Sequence, residues 1–362
     1  MKFIKTADLK IGMRLAKPIY NKNGVLLYDR NSKLTQQGIE SVKNFHLIGI
    51  FVLEPAEPLP PVSEEDLEFE KFQMVSVYAV EEELQNILSK GKSNKLYSLA
   101  EKVVSSYGHL DHKINFIQNL RSGEDFVYKH SLNVAILASM IAHNMRMRGQ
   151  EQVEAVVAAL VHDIGKLSCS ADLVVKEDKS DEEFNAIVYA EYSGISVIER
   201  AYASTPNIKR IVLQAYKRLE NLKKGEEPES SKIVNGAKVL TVAEQYDKMT
   251  AISIAGEQHS EIAAIKYMRS MPEYFDPEAV EALVASINLL GEGVCVELSN
   301  GEKALIIAPN ETDILRPMVL CFSTNTIIDL AMTALYADIE IVDVMKTLDN
   351  RYVMKEDIEG MK

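Results

Sequence analysis

The sequence predicts a mainly α protein: a helical bundle core with a small β-rich module at each end. Three observations carry this expectation. From Ser63 to about residue 290, apolar residues recur at helical spacing. In residues 1–54 and 291–362, short apolar runs bounded by turn residues replace that pattern. Asn23-Gly24 and Asn300-Gly301, both hairpin signatures, fall in those terminal stretches.

Taken in order, Arg14–Tyr20, Gly24–Leu27 and Ile48–Leu53 read as strands of the module 1–54, with one short helix from Thr35 to Phe45. Pro55, Pro58, Pro60 and Pro61 can continue neither a helix nor a central strand, so 55–62 reads as a stiff linker. Ser63, followed by acids, caps the next helix. Residues 63–123 read as a helical connector, broken at Gly91-Lys-Ser-Asn94. Residues 124–290 read as the main helical domain, interrupted at Pro206 and by a polar loop from Asn221 to Ser231. Asp276-Pro277, a cap followed by proline at the first helical position, opens a further helix. Val294–Leu298, Lys303–Ala308, Pro317–Phe322 and Ile339–Val344 are the strand-like runs of 291–362.

A chain of 362 residues exceeds the roughly 250 that one core usually supports, so two or three domains are expected. The hydrophobic fraction of 47% is enough to fill such cores. A net charge of −13 argues against nucleic acid or an anionic membrane as partner. Cys169, Cys295 and Cys321 are far apart and form no CxxC pair, which fits a reducing compartment and no cysteine zinc site. Met1–Met13 has no run of signal-peptide length, and no stretch approaches the ~18 apolar residues of a membrane span. The expectation is a cytoplasmic protein.

The chemistry concentrates in three places. Val153, Val156, Val157, Leu160 and Val161 form the apolar face of a helix that ends in His162-Asp163-Ile-Gly165-Lys166. An imidazole and a carboxylate adjacent at a helix end can share one divalent cation. Gly165 would let the chain turn sharply, and Lys166 would offer a point charge suited to phosphate. His130, 32 residues upstream, opens a helix with the stripe Val134, Leu137, Ala138, Ile141 and Met145. Two antiparallel helices could bring it beside His162. Glu244 lies in the apolar pattern Val239, Leu240, Ala243, Tyr246, where an acid is costly unless paired or bound to a cation. Asp247 is its i+3 neighbour and can look toward the same place.

Together these pieces resemble the HD superfamily of metal-dependent phosphohydrolases, and more closely its HD-GYP branch, which hydrolyses cyclic di-GMP. His130-Ser-Leu-Asn-Val-Ala, His162-Asp-Ile-Gly-Lys166, Asp181-Glu-Glu-Phe184 and Ala237 to Thr250 line up in order with that branch over about residues 124–290. The resemblance implies a helical bundle with His130, His162, Asp163 and Glu244 as metal ligands. It implies Asp163 and Lys166 as catalytic groups, and Asp247 and Thr250 behind the ligands.

The departures are specific. Ala190-Glu191 stands where the branch has His-Pro, and Ala215-Tyr216 where it has two histidines. No Gly-Tyr-Pro occurs, and the run Thr250 to His259 lacks the usual arginines. What remains suits one divalent cation, with manganese, iron, magnesium and zinc not separable, rather than a multinuclear cluster. Three functions follow in order of preference. The first is a bacterial signalling protein with a degenerate domain, weak or inactive toward cyclic di-GMP, acting as a sensor or interaction module. The second is a mononuclear phosphohydrolase acting on a nucleotide or other phosphoester. The third is a working cyclic di-GMP phosphodiesterase. A cyclic dinucleotide or other phosphate ligand, and a protein partner or second copy of the chain, are the candidate partners.

Overall fold

The computed structural model describes residues 2–21, 23–44, 49–53, 63–93, 95–176, 178–228, 232–253, 260–310 and 312–345. The expected proline linker, and residues 254–259 of the Thr250–His259 run, lie outside these. The chain divides into two units, the first ending at Tyr78 and the second beginning at Ala79.

The first unit contains β1 (Lys2–Lys5), β2 (Arg14–Leu15), β3 (Ile19–Tyr20), β4 (Leu26–Tyr28), α1 (Gln36–Asn44), β5 (Gly49–Leu53) and the start of α2 (Glu64–Lys90). β5 pairs antiparallel with β1 and with β2. β3 and β4 form the hairpin at Asn23-Gly24, where Gly24 takes the left-handed φ of +76° that glycine tolerates. Leu9, Leu15, Ile19, Leu34, Ile39, Val42, Ile50 and Val52 form the core. Ser63 caps α2 by exchanging hydrogen bonds with Asp66.

The second unit is mainly helical. Its helices are α3 (Leu96–Tyr107), α4 (Phe126–Asn144), α5 (Gln150–Val161), α6 (Ala171–Val175), α7 (Asp181–Ala201), α8 (Pro206–Lys224), α9 (Asn235–Thr250), α10 (Glu261–Arg269), α11 (Pro277–Ser286) and α12 (Thr333–Tyr336). Its strands are β6 (Leu120–Arg121), β7 (Ile252–Ser253), β8 (Cys295–Leu298), β9 (Lys303–Ala308), β10 (Met318–Cys321), β11 (Ile327–Asp329) and β12 (Ile341–Met345). α4 is buried almost all round, as expected of a central helix, and α3, α5, α9 and α11 pack against it. α8 packs on α5, α7 and α9. Asp276 accepts a hydrogen bond from the Ala279 amide to cap α11, with Pro277 at the first helical position. The five C-terminal strands form one antiparallel sheet in the order β11-β10-β9-β8-β12, with a hairpin at Asn300-Gly301.

Three details differ from expectation. Between α3 and α4 the chain is not helical, and β6 there pairs parallel with β7. The helical pattern expected to run to about residue 290 ends at Ser286, and Ile287 bridges to Ile114 instead. The loop expected from Asn221 begins later. α8 continues to Lys224, held by the Glu220–Lys224 pair and ended by left-handed Gly225. No described helix is long and apolar enough to cross a membrane.

Candidate metal centre

α5 ends at Val161 and runs directly into a 3-10 turn, His162–Ser168. Because Ala155–Val161 is buried throughout, the next two side chains are carried into the interior, and His162 and Asp163 are 0% exposed. α7 packs on this turn. A Cβ at Gly165 would lie 2.0 Å from the Ala190 carbonyl oxygen, and one at Gly194 would lie 2.9 Å from the Gly165 Cα. Gly165 does not have a left-handed φ. It is needed for backbone-to-backbone approach, not for the sharp turn the sequence suggested. His130 sits one turn inside α4, which begins at Phe126 rather than at the histidine.

The two imidazoles meet edge to face, with Nε2 atoms 3.2 Å apart. Each ring's other nitrogen is committed. His130 Nδ1 lies 2.6 Å from Asp247 Oδ2, and His162 Nδ1 lies 2.7 Å from the Ala159 carbonyl oxygen. Both of those partners only accept, so Nδ1 carries the proton in each ring. Burial pushes His130 below its usual pKa despite the raising influence of Asp247 and Asp163. With Nδ1 committed in each ring, the two Nε2 atoms are the positions left to face one another. A cation between them reconciles that contact.

Oxygen donors stand at matching distances. Asp163 Oδ2 is 3.7 Å from His130 Nε2, Asp163 Oδ1 is 3.5 Å from His162 Nε2, and Glu244 Oε2 is 4.0 Å from His162 Nε2. Ligands held at ~2.1 Å around a tetrahedral ion are about 3.4 Å from each other. Glu244 Oε2 is buried without a hydrogen-bond partner. His130, His162 and Asp163 could thus hold a metal ion, and the Glu244 oxygen is available beside them.

Asp247 is not in this group. It stands behind His130, fully buried, and receives both arms of the Arg121 guanidinium at 2.6 Å each. Gln118 Nε2 and Asn133 Nδ2 each donate to Asp247 Oδ1 at 3.2 Å. Gln118 also donates to Thr250 Oγ1, whose hydroxyl bonds the Tyr246 carbonyl one turn back. Burial alone would raise the Asp247 carboxyl, but Arg121 and His130 outweigh it and hold it well below the usual carboxylate range. Arg121 is placed by β6, and its guanidinium lies over the Phe126 ring, which in turn stacks on His130.

Lys166 turns inward rather than outward. Its Nζ lies 2.7 Å from Asp163 Oδ1, 2.9 Å from Oδ2 and 3.0 Å from Glu191 Oε1. Burial disfavours the ammonium, but Asp163, Glu191 and Glu244 more than compensate and raise it above its ordinary value. Tyr216 donates its hydroxyl to the His162 carbonyl, and Asp163 Oδ1 lies 3.4 Å from the Tyr216 hydroxyl oxygen. Ala190 and Ala215 are buried and bring no donor.

Sequence reasoning missed Arg121, Gln118, Asn133, Glu191 and the inward hydroxyl of Tyr216. Glu191 had a signal: it falls on the buried face Ile187, Ala190, Gly194, Ile195, Ile198. Asn133 stood within an apolar helix. Arg121 lay in an irregular segment and had no periodicity to expose it.

Residues 115–279 match the family profile described as HD domain. The chain is 22% identical over 204 residues to the cyclic di-GMP phosphodiesterase PA4108 of Pseudomonas aeruginosa, a match covering 56% of this chain and 49% of that one. The chain therefore spans about half the length of this curated relative. A solved structure of Bd1817, a HDG"Y"P protein from Bdellovibrio bacteriovorus, aligns with a TM-score of 0.48 at 12% identity, over 78% of this chain and 97% of that chain.

Proposed function

We propose that this chain, whose residues 115–279 match the HD-domain profile and which resembles a cyclic di-GMP phosphodiesterase at 22% identity, is of the HD-GYP branch, binds one divalent cation and works as a sensor or interaction module with little or no hydrolysis of cyclic di-GMP. One observation supports this most. Two imidazole Nε2 atoms face each other at 3.2 Å, beside Asp163 and an unpartnered Glu244 oxygen. His130, His162, Asp163 and Glu244 would hold the cation, with Asp247 and Thr250 behind them. When bound, the cation supplies Lewis acidity and lowers the pKa of a bound water.

The same geometry limits the chemistry. Ala190 and Ala215 offer no ligands for further metals, and the Tyr216 hydroxyl is turned to the His162 carbonyl. Lys166 places an ammonium between Asp163 and Glu191. Removing one well-placed electrostatic group commonly costs about 100- to 1000-fold in rate. The loss of several should take cyclic di-GMP turnover below usefulness, although such effects do not add.

A second reading is a mononuclear phosphohydrolase acting on a nucleotide or other phosphoester. Its specific support is the retained Asp163–Lys166 pair: Asp163 would hold the ion and Lys166 would meet the phosphate. Metal analysis of purified protein should give one cation per chain. The activity assay uses manganese or iron(II) with cyclic di-GMP, beside a His162→Ala, Asp163→Ala control. Linear turnover abolished in the control would overturn the first reading. Turnover of generic phosphoesters but not cyclic di-GMP would select the second.

A further inference from the structure

The Lys166 ammonium has the surroundings of a bound cation rather than of a surface lysine. Its Nζ lies 2.7 and 2.9 Å from the two Asp163 oxygens and 3.0 Å from Glu191 Oε1. All three residues are buried, Asp163 completely. The backbone dictates this meeting. Gly165 and Gly194 let the 3-10 turn and α7 touch main chain to main chain. That contact sets Lys166, the residue after Gly165, against the α7 face that bears Glu191, about one turn before Gly194. Carboxylate oxygens bind divalent ions at ~2.0–2.2 Å, so an ion in place of the ammonium asks each contact to shorten by under about 1 Å.

Asp163 faces two ways. Its oxygens also lie 3.5 and 3.7 Å from the Nε2 atoms of His162 and His130. An ionised carboxylate offers about four lone-pair sites, enough for the ammonium on one side and a cation between the imidazoles on the other. Charge then sets how many divalent ions the interior takes. The buried charged groups here are the carboxylates of Asp163, Glu191 and Glu244 and the ammonium of Lys166. Asp247 is balanced by Arg121. With the imidazoles as neutral ligands, one divalent ion brings this group to neutrality. A second ion beside the ammonium would leave buried positive charge uncompensated, which is costly.

We propose that the Lys166 ammonium fills a second cation seat, made by Asp163 and Glu191, and thereby limits this centre to one divalent ion. This rests on the one-cation reading above. Glu191 is then a positioning residue, holding the ammonium against Asp163. The ammonium supplies positive charge but, unlike a metal ion, has no open coordination position for a water. Vacating the seat should admit a second divalent ion that shares Asp163 with the first and has Glu191 as its own ligand.

The test counts manganese on the full chain by native mass spectrometry. Wild type and Lys166→Arg should hold one ion, Lys166→Ala two, and the double variant Lys166→Ala, Glu191→Ala one again. Electron paramagnetic resonance of Lys166→Ala should show two coupled ions, because paired metals in such sites lie about 3.5–4 Å apart. Metal-free Lys166→Ala should melt below wild type, and manganese should raise its melting temperature by more than it raises that of wild type. Two ions on wild type, no gain in Lys166→Ala, a gained ion that is uncoupled from a first, or a gain that survives the loss of Glu191 overturns the seat. So does a Lys166→Ala protein that stays unfolded in manganese, since the ion should replace the missing charge. Wild type alone judges the one-cation reading, and no ion there rejects it. A single ion gained by Lys166→Ala over an empty wild type, and lost with Glu191, still keeps the seat.

Discussion

Asp247 and Asp163 are both fully buried carboxylates beside a histidine and a basic side chain, yet they are held in different ways. Asp247 is closed: a planar guanidinium takes both oxygens, two amides take more lone pairs, and His130 takes the remainder. Asp163 is held by a flexible ammonium and has two imidazole edges at 3.5 and 3.7 Å. A guanidinium fork fixes geometry, whereas an ammonium on a four-carbon stem can move aside. The first arrangement orients a ligand. The second leaves a carboxylate that can be handed to a metal.

The largest test of that contrast is Arg121→Met. It leaves the Asp247 charge buried and unpaired, so denaturant unfolding should show a loss of about 3–5 kcal/mol. Adding Asp247→Asn should recover part of it. Equal stability of the single variant and wild type would show that Asp247 is not closed as described. On the other side, manganese at 100 times its Kd should stabilise wild type by about 2.7 kcal/mol. Glu244→Gln should reduce that gain in thermal melts, while a full gain would remove Glu244 from the site. A smaller effect comes from pH in metal-free protein. His130 has a folded pKa below its unfolded value near 6.5, so its stabilising contribution is complete above that pH and is lost as pH falls. The melting temperature should therefore drop between about pH 6.5 and 5, and His130→Gln should flatten the drop. Smallest of all, Tyr216→Phe removes one hydroxyl bond to the His162 carbonyl and should cost about 1 kcal/mol by denaturant unfolding.

How far the sequence could be read follows from what periodicity encodes. Ala155–Val161 and the stripe of α4 are long, apolar and helical in spacing, so the elements that carry His162 and His130 were legible. So were the two hairpins and the Asp276-Pro277 start, where local chemistry dictates local structure. The partners of those side chains were not. Arg121 reaches Asp247 across 126 residues, from a two-residue strand whose partner, β7, is equally far along the chain. Lys166 could be seen as a cation near phosphate chemistry, but its inward turn depends on Glu191, one helix away. Gly165 was legible as special for the wrong reason, because a close backbone approach leaves no mark distinct from a turn.

That approach has a mechanical consequence. At Gly165 and Gly194 two stretches of main chain touch with no side chain between them to change rotamer and absorb a displacement. A displacement of Asp163 would therefore press main chain on main chain at α7, the helix whose first turn bears Phe184.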